Sequence, residues 1–330
     1  MDAIFNDVVV DTIVGVVSKA TVPVASDSIL GAAKGKRFSM VTGIESISRF
    51  SQEIYFSDAA TVAGQCALET SGVYASGLGM LLVCTQSADF SVPAVGSKIH
   101  KSLGLSKSCN VIDINQGCNA VPNLLMVASS LMRAGGISSA MILVGDLSSR
   151  HVAEAPGAQR ALFGDSVCGM VLKRGPGELG CKIEFYSDGF ESILLPQSNS
   201  AGRFASSSEP LRLDGEAVYN FAVPAAERII RETLIENSLS LDDFAYLSLH
   251  QANKTINEAV KKRLDISGDR VLESLKSYGN TSSASVLLNL AQSRTSLQGR
   301  IMICGFGVGL SCGISWFKSD HSVKTLLIGI

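Results

Sequence analysis

A cysteine, a histidine and an asparagine, each in a turn of this chain, have side chains suited to thioester chemistry. Cys118 follows the apolar run Val111–Ile114 and precedes a predicted helix for which Asn119 is the expected N-cap. A thiol in that turn lies at the positive end of the helix dipole, which favours the nucleophilic thiolate. Cysteine is also a common space-filling residue, so Cys118 alone does not establish a nucleophile.

His250 and Asn280 are the other two candidates. His250 follows the predicted strand Phe244–Leu249, and Asn280 lies in a predicted turn at 277–282. Each taken alone could be an ordinary loop residue. The turn at Gly305–Gly313 has no predicted helix after it, so it is not a dinucleotide fingerprint. Such a turn instead offers backbone N–H groups to an anionic oxygen.

The order of predicted elements repeats along the chain, which indicates an internal duplication. Corresponding positions such as Gly145 and Gly305 lie 160 residues apart. The repeat predicts two α/β halves, residues 1–176 and 177–330, with apolar helices buried between their sheets. Loops at the ends of strands gather at one edge of a sheet, so loops from the two halves can converge on one site.

Composition narrows the class of protein and its compartment. Hydrophobic residues make up 46% and the formal net charge is −2, which argues against nucleic acid as a partner. No run of eighteen apolar residues predicts a membrane span, and the first seventeen residues lack signal-peptide features. The eight cysteines form no CxxC pair and no metal spacing with the four histidines. We therefore expect no bound metal and a reducing, cytoplasmic compartment.

Four ordered motifs resemble the thiolase-like condensing enzymes, most closely β-ketoacyl-[acyl carrier protein] synthase III. They are DINQGC at 113–118, HQAN at 250–253, GNTSSAS at 279–285 and GFGVGLSCG at 305–313. The resemblance covers essentially the whole chain. It implies a thiolase-like five-layered αβαβα fold, an α/β fold built from two duplicated halves.

The resemblance also implies roles for particular residues. Cys118 resembles the nucleophile that accepts an acyl group, and His250 and Asn280 resemble the pair that supports decarboxylation of a malonyl-type thioester. Backbone N–H groups of Cys118 and Val308 would hold the oxyanion, and Phe306 resembles the aromatic residue beside the cysteine. No cofactor is implied. The partners implied are an acyl thioester of coenzyme A or acyl carrier protein, and a second copy of the chain in a homodimer.

Two basic residues, Lys262 and Arg263, end the predicted helix that begins at Lys254. They could simply compensate the helix dipole. They also resemble the basic patch on which the family receives an acidic carrier protein.

Some positions depart from the family pattern. Asn119-Ala120-Val121 follows the cysteine where a small residue, a glycine and an aromatic are usual, and Val308 interrupts the usual Gly-Gly-Gly. No Arg-Arg follows Ile44, and the single tryptophan, Trp316, lies near the C-terminus. These departures argue against acetyl-coenzyme A as the acyl donor but leave the condensing chemistry intact.

Three alternatives can be weighed from the sequence, and the intact Cys118, His250 and Asn280 argue against the second, as the GNTS motif at 279–282 does against the third. An acylated Cys118 could pass its acyl group to an amine or hydroxyl without forming a carbon–carbon bond. The chain could instead be a non-enzymatic partner of an active paralogue. A hydroxymethylglutaryl-type synthase would need a carboxylate near the nucleophile, for which Glu45 and Glu69 are remote candidates.

Overall fold

A computed structural model of the chain describes residues 2–196, 211–266, 270–293, 296–319 and 321–330. In the described ranges the strands are β1 Asp2–Phe5, β2 Val8–Val17, β3 Val22–Pro23, β4 Ser46–Ile47, β5 Met80–Cys84, β6 Asn110–Ile114, β7 Ser139–Leu147, β8 Asp165–Arg174, β9 Gly177–Phe185, β10 Ile193–Leu194, β11 Arg212–Leu213, β12 Phe244–Leu249, β13 Arg300–Gly307, β14 Ser311–Ser319 and β15 Lys324–Gly329. The helices are α1 Ala32–Thr42, α2 Phe56–Ser71, α3 Gly96–Ser102, α4 Ala120–Gly135, α5 Ser148–His151, α6 Gly157–Leu162, α7 Gly215–Glu236, α8 Lys254–Leu264, α9 Leu275–Tyr278 and α10 Ser285–Ala291.

Two large mixed sheets carry the architecture. One has the strand order β15-β2-β8-β7-β5-β6 and the other the order β1-β9-β14-β13-β12. The run β2-β8-β7-β5 in the first sheet matches β9-β14-β13-β12 in the second. In each run two antiparallel pairings are followed by a parallel one. The predicted duplication is therefore confirmed at the level of topology.

The first and last strands of the chain each join the sheet formed mainly by the other half. β1 pairs with β9 in the five-stranded sheet, and β15 pairs with β2 in the six-stranded sheet. The chain changes sheet between β8 and β9, where the sequence places the boundary at residue 176. The division into halves of 1–176 and 177–330 remains a prediction.

Helices cover both faces of each sheet and produce five layers. α2 and α3 cover the outer face of the six-stranded sheet, α4 and α10 lie between the sheets, and α7 and α8 cover the outer face of the five-stranded sheet. Successive residues of a strand point to opposite faces, so Ile142 packs on the central layer and Leu143 on the outer one. The expected αβαβα layering is confirmed.

The second sheet lacks one strand that the repeat predicts. A strand is expected at Val271–Leu275, but only Val271 forms a parallel bridge, to Leu247, and α9 starts at Leu275. The backbone N–H groups of Ser277 and Tyr278 donate to the carbonyl of Ser274. These local bonds close a helical turn and end the strand. Among the described residues, no helix is long and apolar enough to cross a membrane.

Candidate active site

Cys118 lies in the turn between β6 and the central helix α4, and only 8% of its surface is exposed. The backbone of Val308 and the side chain of Ser282 hydrogen-bond to its sulfur. Asn119 occupies the N-cap position as predicted, but its side chain makes no capping hydrogen bond. Instead, the Asn119 side chain lies against the backbone of Gly313. A Cβ added to Gly313 would be only 2.3 Å from the Asn119 Oδ1.

The resting thiol of Cys118 is not activated as the sequence suggests. Burial raises the pKa of this thiol to about 11, and the Asp146 carboxylate acts in the same direction. The hydrogen bond from Val308 opposes them without reversing the shift. The expectation of a thiolate favoured by the helix dipole is wrong for the resting protein, because desolvation of the charged form outweighs the favourable dipole.

The glycine-rich turn lies directly against the cysteine. Gly307 has φ 145°, and a Cβ added to it would lie 3.1 Å from the Cys118 sulfur. A Cβ on Gly305 would lie 2.7 Å from the Cys118 carbonyl oxygen. A side chain at position 305 would overlap the backbone of Cys118, and one at position 307 would press on the Cys118 sulfur from a φ that favours glycine.

His250 follows β12 and is 2% exposed. Its Nδ1 lies 2.7 Å from the Oγ of Ser285, and its ring meets the ring of Phe306 edge-on at 5.4 Å between centroids. Burial lowers the pKa of His250 to about 3, because it disfavours the imidazolium form. The imidazole is therefore neutral over the physiological range.

Asn280 lies in the turn after α9, and hydrogen bonds of its backbone and side chain fix it there. Its backbone N–H donates to the carbonyl of Leu162 at 2.9 Å, and its carbonyl accepts from Gly164 at 3.0 Å. Its side-chain Oδ1 accepts from the N–H of Ser282 at 2.9 Å. The amide oxygen is thus engaged, and the amide nitrogen is the group that can donate to a ligand.

One cavity of about 170 Å³ brings these residues together. Most of its wall is apolar. It is lined by Cys118, His250, Asn280, Ser282, Phe306, Val308, Gln86, Asp146, Ser148, His151, Leu162, Phe163, Ile193, Leu211, Leu213, Val218, Asn253 and Ile256, among others.

The two basic residues predicted for carrier docking lie outside the cavity. Ile256 lines the cavity from the first turn of α8, while Lys262 and Arg263 end that helix, about 9 Å further along its axis. Both are exposed, and Arg263 pairs with Glu227 at 2.9 Å. Their docking role remains a prediction.

Asp146 is a cavity residue that the sequence analysis missed. It is the last but one residue of β7, whose residues are all buried, and is 1% exposed. The signal was present in the sequence, since a carboxylate after an apolar strand is in the same kind of position as Cys118 and His250. Among the described residues, no cluster of histidine, cysteine or carboxylate side chains could hold a metal ion.

The fold and the converging loops define the class of thiolase-like condensing enzymes, and comparison with known proteins identifies the family. Residues 112–189 match the 3-oxoacyl-[acyl-carrier-protein] synthase III family, and residues 234–319 match its C-terminal domain. The β-ketoacyl-[acyl-carrier-protein] synthase III of Synechococcus elongatus is 31% identical over 279 residues, 79% of this chain and 82% of that protein.

Solved structures agree with that assignment. A 3-oxoacyl-(acyl-carrier protein) synthase from Burkholderia xenovorans superposes with a TM-score of 0.88 at 22% identity, covering 100% of this chain and 99% of that one. The 3-oxoacyl-(acyl carrier protein) synthase III of Pseudomonas aeruginosa superposes with a TM-score of 0.84 at 25% identity, covering 96% and 99%. The chain belongs to the 3-oxoacyl-[acyl-carrier-protein] synthase III family of condensing enzymes.

Proposed function

We propose that this protein joins an acyl group carried on Cys118 to a malonyl-type thioester, with loss of carbon dioxide. The observation that carries the proposal is the convergence of Cys118, His250 and Asn280 on one cavity, with the backbone of Val308 bonded to the cysteine sulfur. The names of its relatives favour this reaction over transfer of the acyl group to an amine or hydroxyl.

In the first half-reaction the Cys118 sulfur attacks the carbonyl carbon of an acyl thioester. The new sulfur–acyl bond forms as the bond to the carrier sulfur breaks, and the thiol proton leaves with the carrier thiol. Because the resting thiol has a pKa of about 11, this proton must be removed during the attack. The departing carrier sulfur takes up this proton as its bond to the acyl group breaks, so the first half-reaction requires no titration of the neutral His250.

In the second half-reaction a malonyl-type thioester loses carbon dioxide, and its electron pair moves onto the thioester oxygen as an enolate. Neutral His250 and Asn280 donate hydrogen bonds to that oxygen. The enolate carbon then attacks the acyl carbon on Cys118. The N–H groups of Cys118 and Val308 hold the oxyanion until the cysteine thiolate leaves and takes up a proton.

The experiment that tests the proposal separates the two half-reactions. Replacing one oxyanion-type donor typically lowers the rate a hundred- to a thousand-fold, or roughly 3–4 kcal/mol. His250→Ala or Asn280→Ala should still form the acyl enzyme, seen by intact mass, but release almost no carbon dioxide from a malonyl thioester. Cys118→Ala should lose the acyl adduct.

A different result would favour the heteroatom acyltransferase. Wild-type protein would then acylate and pass its acyl group to an amine or alcohol, while no malonyl donor released carbon dioxide. A panel of acyl thioesters in the same mass assay identifies the acyl donor and whether coenzyme A or acyl carrier protein delivers it.

We extend the proposal to a homodimer. β6 is the edge strand of the six-stranded sheet, and its side chains Val111, Ile112 and Ile114 are only half-buried. An apolar edge strand of this kind can pair with the same strand of a second copy and continue the sheet. Light scattering that gives the 34.7 kDa monomer mass at micromolar concentration would refute this.

We also propose a reducing, cytoplasmic location. All eight cysteines are free, and the side chains of Cys304 and Cys312 hydrogen-bond to each other as thiols. Eight cysteines without a disulfide between them are typical of proteins of reducing compartments. Fractionation of the native host that places the protein outside the cytoplasm would refute this.

A further inference from the structure

The carboxylate of Asp146 is buried against the active-site cavity and is held by three donors from two loops. Its Oδ1 accepts from the Gln86 backbone N–H at 2.6 Å and from the Thr85 hydroxyl at 3.2 Å. Its Oδ2 accepts from the Ser283 hydroxyl at 2.8 Å. Both oxygens of the Asp146 carboxylate are therefore engaged by donors of the protein.

All three donors are neutral groups, so they satisfy the hydrogen-bonding capacity of Asp146 without cancelling its charge. The other titratable side chains lining the cavity are Cys118, His151 and His250. His250 is kept neutral by its burial, which lowers its pKa to about 3. A charge in a cavity with apolar walls acts on its neighbours through a lower effective dielectric constant than water provides.

The field of this carboxylate reaches the cysteine sulfur. Both side chains line the same cavity, and the Asp146 charge is one of the causes that raise the pKa of the Cys118 thiol. A negative charge attached to Cys118, or approaching it, meets the same repulsion. A neutral group of equal size does not.

We propose that Asp146 is a specificity-determining residue that keeps acyl groups bearing a carboxylate off Cys118. The inference rests on the proposed role of Cys118 as acyl acceptor. Its consequence is that a malonyl-type thioester does not load onto the cysteine and enters only as the second substrate. In that step the carboxylate leaves as neutral carbon dioxide, which relieves the repulsion.

Two alkylating agents of nearly equal size, iodoacetamide and iodoacetate, test the charge effect directly because they differ mainly in charge. The rate at which iodoacetamide alkylates Cys118 is divided by the rate for iodoacetate, with both rates measured by peptide mass. The same ratio is measured for 2-mercaptoethanol as a free reference thiol. We expect the wild-type ratio to be at least about tenfold above the ratio for the small thiol. Asp146→Asn has the same shape without the charge, and it should lower the ratio most of the way to the value for the small thiol.

Ser283→Ala is the matched control because it removes one hydrogen bond to Asp146 and keeps the charge. Its ratio should stay near the wild-type value. A wild-type ratio equal to that of 2-mercaptoethanol overturns the inference, and this comparison needs no variant to fold. A ratio unchanged by Asp146→Asn in a folded protein also overturns it.

Butyryl- and succinyl-pantetheine extend the test to acyl transfer. Wild type should acquire butyryl and exclude succinyl, and Asp146→Asn should raise succinylation relative to butyrylation by about tenfold or more. If wild type acquires no acyl group from these two thioesters or from any other member of the panel, the proposed acyl acceptor is refuted, while the alkylation ratio still decides the charge effect. If butyryl loads normally, but Asp146→Asn changes neither the alkylation ratio nor the ratio of succinylation to butyrylation, only this inference is refuted.

Discussion

The Nδ1 of His250 lies 2.7 Å from the Oγ of Ser285, the first residue of α10. All seven residues of that helix are buried between the two sheets. The catalytic candidate is therefore oriented by a fully buried helix, and the backbone N–H of Gln251 donates to the same hydroxyl at 3.4 Å. The ring orientation depends on the central layer rather than on the loop that carries the histidine.

Ser285→Ala removes this contact, and we expect it to slow decarboxylation. A single hydrogen bond of this kind is worth about 0.5–1.5 kcal/mol, which corresponds to a roughly two- to tenfold loss. Carbon dioxide release from a malonyl thioester measures the effect, and the extent of Cys118 acylation should change less. Ser129→Ala is the control, since Ser129 is also buried in a central helix and its Oγ has no hydrogen-bond partner among the described residues. Equal effects of the two variants would contradict a positioning role for Ser285.

The buried neutral state of His250 predicts an acid-sensitive contribution to stability. The unfolded chain binds a proton at this side chain below pH 6.5, whereas the folded chain does so only near pH 3. Between these values the unfolded state holds more protons, so the free energy of unfolding falls as the pH falls. The contribution is complete above pH 6.5, and about 2 kcal/mol of it is lost by pH 5.

Urea unfolding at pH 7 and pH 5 measures this effect as a difference between wild type and His250→Gln. The variant should lose about 2 kcal/mol less than wild type over that range. His321→Gln serves as the control for the loss of one histidine, because the His321 side chain is about half exposed. Parallel losses in wild type and His250→Gln would show that the imidazole is not buried in its neutral form.

Two glycines, Gly307 at the end of β13 and Gly309 in the turn that follows, allow the effect of backbone strain to be separated from crowding at the Cys118 sulfur. Gly307 and Gly309 have φ of 145° and 121°, where a side chain costs about 1–3 kcal/mol. A new Cβ at Gly307 meets the Cys118 sulfur at 3.1 Å, whereas at Gly309 the nearest atom is 3.8 Å away. Both alanine variants should lower the unfolding temperature, and only Gly307→Ala should also slow iodoacetamide labelling of Cys118. Similar labelling rates would show that the turn does not confine the sulfur.

The three candidates could be singled out from the sequence because each is marked locally, and the structure places all three on one cavity. Cys118 and His250 follow apolar strands, Asn280 lies in a polar turn, and their motifs occur in a fixed order. The duplicated layers follow from the same periodic pattern. The strand expected at Val271–Leu275 fails because hydrogen bonds to Ser274 close a helical turn there.

The electrostatics of the site could not be predicted in the same way, because they depend on distant segments. Asp146 is held by Gln86 and Ser283, which are 60 and 137 residues away in the chain. The pKa of Cys118 is set mainly by how completely other loops remove it from water. Local dipole arguments miss both effects, since burial is a property of the assembled fold.

Lys262 provides the test of carrier docking, because Arg263 is already engaged by Glu227. Lys262 is exposed at the end of α8, the helix whose first turn reaches the cavity. Attraction between this charge and an acidic carrier acts mainly on the association rate and is screened by salt. Lys262→Glu should raise the Michaelis constant for a carrier-bound substrate roughly fivefold, the effect of about 1 kcal/mol. The Michaelis constant for the corresponding pantetheine thioester should not change, because that substrate lacks the acidic protein surface.

The matched control is the charge reversal Lys107→Glu. Lys107 is exposed and precedes β6, at the opposite end of that strand from Cys118. The difference between Lys262→Glu and wild type should shrink as the salt concentration rises above 0.1 M, where the screening length is about 10 Å. Equal effects on both substrates, or an equal effect of Lys107→Glu, would reject the docking role and leave dipole compensation as the function of this residue.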